Sequence, residues 1–86
     1  MRYKIAKQVL WKSVDDEIVI VDSKKDDYSF LNGTAGALWH LIEKNYSVDE
    51  IVQELAGEYD APPAQIKSDS LKLLKELRDV GLIEEA

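Results

Sequence analysis

Between Asp26 and Ile42 the sequence DDYSFLNGTAGALWHLI passes from a strand to a helix with no linker between them. Up to Leu31 it reads as a β-strand. From Asn32 onward the apolar residues Ala35, Leu38, Trp39 and Ile42 recur at helical spacing, as one stripe of a helix does. The junction commits the chain to an α+β fold in which a strand abuts a helix. It also raises a question, because Tyr28 and Phe30 are two apart on that strand and project to one face.

Two further strands precede this one. QVLWKSV and EIVIVD are β-rich runs separated by Asp15-Asp16, a turn signal, and so pair as a hairpin. The second is apolar at four successive positions, Ile18 to Val21. A strand with one wet face alternates, so both faces of this one are expected to be covered, in the middle of a sheet. SKKDD then turns into YSFL, which is left at the sheet's edge.

The helices are marked by their ends. Asn32 is a suitable N-cap for a helix over 33–44. Ser47 with Glu50 three residues on forms a capping box for a helix over 48–59, with Val48, Ile51, Val52, Leu55 and Tyr59 as its buried stripe. Pro62-Pro63 opens a third helix over 63–80, and Gly81 is placed to terminate it. The order is three strands followed by three helices.

A chain of 86 residues, 45% of them apolar, suits one small domain over 1–86. With no cysteine there is neither a disulfide framework nor a thiolate metal site, and no apolar run approaches a membrane span. The expectation is a cytoplasmic protein without a membrane partner. The net charge of −6 is uneven: residues 1–31 hold six basic and six acidic groups, residues 32–86 five and eleven. That balance argues against nucleic acid as the partner, since phosphate-backbone affinity rests on basic side chains. A helix-turn-helix DNA binder, with helix three as its recognition helix, is the alternative that the basic residues of that helix permit.

Catalytic chemistry finds little support. His40 is the only histidine, and it points away from the stripe of helix one, toward solvent. NGTAG lacks the lysine of a phosphate loop, so Gly33 and Gly36 read as close-packing positions. The carboxylates at 15–17 and 26–27 fall in turns without calcium-loop spacing. Trp11 and Trp39 read as core or core-rim residues. No catalytic residue, metal or cofactor is expected.

Helix three carries the most information. At ~100° per residue, Ile66, Ser70, Leu73, Leu77 and Val80 share one face, the expected core stripe. Leu71 lies off it, on a flank with Lys67, Leu74, Lys75 and Arg78, while Asp69, Glu76 and Asp79 fall on the opposite flank. An apolar and basic flank of this kind reads as one wall of a groove.

The run DDYSFLNGTAGALWHLI, then SVDEIVQELAGEYD, then a last helix ending LRDVGLIEE resembles the PqqD family, also called RiPP recognition elements. The resemblance extends from about Val9 to Glu85 and is most specific at Leu31-Asn32, Thr34-Ala35 and Trp39. It implies a winged-helix-like domain, a three-stranded antiparallel sheet followed by three helices, that binds the leader segment of a ribosomally made precursor peptide as an added strand. The leader would lie along Tyr28, Ser29, Phe30 and Leu31, against a wall bearing Lys67, Leu71, Leu74, Lys75 and Arg78. The resemblance extends to the small recognition half of the split B protein of lasso-peptide pathways, whose partner is a cysteine-protease half. It extends also to the peptide chaperone of PQQ biosynthesis, which works with a radical-SAM enzyme. The tryptophan of helix one is nearer the first. The turn SKKDD departs from the glycine that members often carry there.

Overall fold

The computed structural model describes residues 1–86. Its elements are β1 (Tyr3–Ile5), β2 (Val9–Val14), β3 (Glu17–Asp22), β4 (Asp27–Asn32), α1 (Gly33–Glu43), α2 (Val48–Glu58), α3 (Pro63–Asp79) and β5 (Ile83–Glu85). Strands β2, β3 and β4 form an antiparallel sheet in that order, with Trp11 opposite Ile20 and Ile20 opposite Ser29. The expected α+β order of three strands and three helices is therefore present, and β4 is an edge. What the sequence left unread is a second, two-stranded sheet: β1 pairs antiparallel with β5, Tyr3 opposite Glu85 and Ile5 opposite Ile83.

Two of the turns depend on a left-handed residue. Asp15 has φ 55° in the β2–β3 turn, and Asp26 has φ 58° before β4. Aspartate tolerates that region better than most side chains, because its short carboxylate bonds locally. It therefore takes a role that glycine often fills in tight turns. The β3–β4 turn is also held by Asp22, whose Oδ1 accepts from the backbone N–H of Lys24 at 3.0 Å and of Lys25 at 3.3 Å.

The helix boundaries follow their caps with one exception. Ser47 and Glu50 make the reciprocal capping box: Glu50 N–H donates to Ser47 Oγ at 3.1 Å, and Ser47 N–H to Glu50 Oε1 at 2.8 Å. Pro63 stands in the first turn of α3, and Gly81, with φ 83°, closes it by donating to the Arg78 carbonyl at 3.0 Å. Asn32, by contrast, makes no side-chain cap bond; its backbone is extended (φ −141°), so it remains the last residue of β4. The turn into α1 is made by Gly33 at φ 55°. No atom lies within 4 Å of where its Cβ would stand, so Gly33 is required by conformation and not by close packing.

The inner face of the large sheet packs on the helices. Ile18 and Ile20 of β3 join Leu38, Trp39, Ile42, Ile51, Leu55, Ile66, Leu74, Leu77 and Ile83 in one core. Trp11 is half-buried and stacks edge-on to Trp39 (centroids 6.3 Å apart) and to His40 (5.6 Å). His40 is thus a half-buried partner of Trp11 and not a freely solvated side chain.

The outer face differs from expectation. Val19 and Val21 are only half-buried, and around them Leu10, Val14, Tyr28 and Phe30 are exposed, the two aromatics at 68% and 64%. The apolar run Ile18 to Val21 marks a central strand, but only one of its faces is covered. Tyr28 and Phe30 lie on the uncovered face and do not roof the core.

The core stripe of α3 is also rotated from the expected one. Ile66, Ser70, Leu74 and Leu77 are buried, Leu73 is half-buried, and Val80 is 51% exposed. Leu74, at 1% exposure, belongs to the core and not to a groove flank. The reason is the helical angle: Leu74 follows Ser70 by four residues and precedes Leu77 by three, so it lies within about 60° of both.

Candidate functional site

The sheet leaves two edges unpaired, β2 and β4, and that of β4, along Tyr28 to Leu31, is the one that shares a cavity with Val80 and Leu82 just past the end of α3. Alternation sorts its side chains. Asp27, Ser29 and Leu31 point to the inner side with Asp22, Ile20 and Ile18, and Tyr28 and Phe30 to the outer side with Val21 and Val19.

One cavity is lined by this strand, and a larger one lies beyond its end. The larger, about 480 Å³, lies past the C-terminal end of β4, between Thr34, Ala35 and Leu38 of α1, the Tyr59–Ala61 corner, and Ile66, Asp69, Ser70 and Leu73 of α3. The smaller, about 220 Å³, lies at the other end of β4, between Asp27, Tyr28 and Ser29 on one side, Val80 and Leu82 on the other, with Asp22 and Lys25. The side of α3 turned to these cavities thus bears Asp69, Leu73 and, just past its end, Val80.

This placement divides the site residues expected from the sequence. Tyr28 and Ser29 line the smaller cavity, and Phe30 and Leu31 continue the same edge. Lys67, Leu71, Lys75 and Arg78 line neither cavity, because they occupy the other flank of α3. Leu71 is 44% exposed there. Lys75 is bound to Asp79 at 2.9 Å, and Arg78 reaches Asp79 at 4.0 Å and Glu85 of β5 at 3.7 Å, so two of the three basic groups already have acidic neighbours. The hydrogen bond from Lys75 holds the Asp79 carboxyl below the usual carboxylate range. The apolar and basic flank is real, but it faces β5 and solvent.

The electrostatics of the cleft are correspondingly acidic. Asp22, Asp27, Asp60 and Asp69 line the two cavities against a single ammonium, Lys25, whose Nζ donates to the Val80 carbonyl at 2.7 Å. Leu73 and Val80 went unrecognised as cleft residues because periodicity placed both in the core. Their partial exposure is the consequence of the stripe's rotation toward Leu74. No cluster of three or more His, Asp or Glu side chains is arranged to hold a metal ion, and no helix is long and apolar enough to cross a membrane.

A three-stranded antiparallel sheet with one open edge, followed by three helices, places this chain among the winged-helix-like α+β domains. It belongs to the PqqD family: the model of that family, described as coenzyme PQQ synthesis protein D, matches residues 17–83. Among solved structures it is similar to TbiB1 in complex with the TbiA(beta) leader peptide, at 26% identity and a TM-score of 0.92, covering 96% of each chain. It is also similar in fold to a lasso peptide synthetase B1 complexed with the leader peptide, at 20% identity and a TM-score of 0.90, covering 98% of this chain and 99% of that one. No curated protein matches the sequence.

Proposed function

We propose that this chain is a non-catalytic adaptor that captures the leader of a ribosomally made precursor peptide by strand addition along β4. An unpaired strand edge offers N–H and C=O groups that an extended peptide saturates, with affinity from main-chain bonds and selectivity from alternate side chains. Inward side chains of the added strand enter the cleft toward Leu73 and Val80. Outward ones stand beside Tyr28 and Phe30 and form cross-strand pairs with them. The observation that carries the reading is the open β4 edge with a cavity lined by Asp27, Tyr28 and Ser29, in a fold whose solved relatives were caught with leader peptides.

The similarity to TbiB1 favours the lasso-peptide branch, in which the presented leader goes to a cysteine-protease half; a radical-SAM enzyme is the counterpart in the PQQ branch. The reading is tested with synthetic leaders of candidate precursor peptides. Amide hydrogen exchange should slow at Tyr28 to Leu31 when the leader is added. Protection confined to α2, or tighter binding of duplex DNA than of leader, would overturn it.

A further inference from the structure

The smaller cavity contains a buried acceptor that the fold itself does not use. Asp22 is 2% exposed, and while its Oδ1 holds the β3–β4 turn, its Oδ2 has no donor within hydrogen-bonding distance. A buried carboxylate oxygen without a protein donor is costly, so native proteins usually give it one from water or a bound ligand. Asp27 lines the same cavity, and the one ammonium there, Lys25, is directed at the Val80 carbonyl.

We propose that this cavity is a subsite for a basic leader side chain, lysine or arginine, with Asp22 Oδ2 as its acceptor. The proposal rests on the strand-addition reading, because the added strand is what brings a side chain to the cavity. Asp22 and Asp27 lie opposite each other on the inner face. A leader residue set against Asp27 continues that row. Adjacent strands are about 4.8 Å apart, so the leader backbone would run about 10 Å from that of Asp22. Serine or threonine does not span the gap; the long stems of lysine and arginine do, and their apolar carbons pack against Val80 and Leu82. The charge they meet is complementary, and a charge-assisted bond to a desolvated carboxylate is among the stronger polar contacts.

Asp22→Asn isolates the effect, since it retains Oδ1 for the turn and replaces Oδ2 by a donor. The wild-type chain and this variant are each used to select from a displayed library of random linear peptides. Peptides held by the wild type should carry Lys or Arg at one fixed position, and those held by the variant should not. Changing that residue to methionine in a selected peptide should weaken wild-type binding ~tenfold or more and leave binding to the variant unchanged. Should Asp22→Asn melt early, the methionine peptide against the wild type decides alone. Equal enrichment in both selections, or no loss on the change to methionine, overturns the subsite while exchange protection at Tyr28 to Leu31 still supports strand addition. If no selected peptide protects those amides, strand addition fails and the subsite fails with it.

Discussion

Which flank of α3 faces the peptide is open to direct measurement by placing one negative charge on each side. Val80 is 51% exposed and lines the cavity shared with Tyr28 and Ser29; Leu71 is 44% exposed on the opposite flank. Fully burying a valine side chain contributes about 1.5–3 kcal/mol, so covering the exposed half of Val80 with a leader contributes about 1 kcal/mol. With a leader that carries methionine at the position set against Asp27, so that no cation is drawn to the new carboxylate, Val80→Asp removes that term and leaves a charged group to be desolvated under the peptide. The combined loss should reach about 2 kcal/mol, some thirtyfold in Kd. Stability should change less, because the position is an exposed helix end where an added acid opposes the helix dipole by about 0.3–1 kcal/mol. Leu71→Asp should leave leader affinity within about twofold, as distant surface changes do. Isothermal titration of the leader into each variant, with melting curves alongside, gives the answer. A folded Leu71→Asp that loses affinity while Val80→Asp keeps it would refute the placement and restore the basic flank as the groove wall.

Three other outcomes follow from the packing and the caps. Leu74→Ala should cost about 2–5 kcal/mol in urea unfolding, whereas Leu71→Ala should stay within about 0.5 kcal/mol. Gly33→Ala should lower stability by about 1–2 kcal/mol, read from the same denaturation curves, because alanine at φ 55° is strained even though nothing crowds its methyl. The bonds from Ser47, aided by Arg2, hold the Glu50 carboxyl below the usual carboxylate range. Because the folded value is the lower one, the capping box supports α2 fully above the ordinary carboxylate range and weakens as pH falls through the folded value. Carbon-detected NMR titration should show this, and Ser47→Ala should return Glu50 to ordinary behaviour.

Most of the architecture was legible in the sequence because its signals are local. A capping box, a proline pair and a terminal glycine bounded α2 and α3, and the change of period at Asn32 bounded β4. Two kinds of feature were not legible. The β1–β5 pairing joins segments three residues long from the two ends of the chain, too short for alternation to register. The rotation of α3 was lost because a stripe through Leu73 and one through Leu74 differ by a single helical step, and both satisfy the same periodicity. Only the neighbours choose between them: Leu74 enters the core, and Leu73 is left at the rim of a cavity. That small rotation puts Leu73 and Val80, and not Leu71, on the side of α3 that borders the two cavities.

The β1–β5 ribbon has a further consequence for how the molecule is wired. Tyr3 stands opposite Glu85, and the Ala86 N–H donates to the Arg2 carbonyl at 3.0 Å, so the polypeptide traces a ring with its two ends clasped. Closing so long a loop costs chain entropy on the order of 4 kcal/mol, a cost met only once the helices have brought the ends together. The ribbon thus spans nearly the whole sequence yet is anchored in the core through Tyr3 and Ile83, at a site remote in sequence from the β4 edge. A peptide bond across the clasp, with the chain reopened at the Asp15–Asp16 turn, would keep every element and rewrite the order in which they assemble.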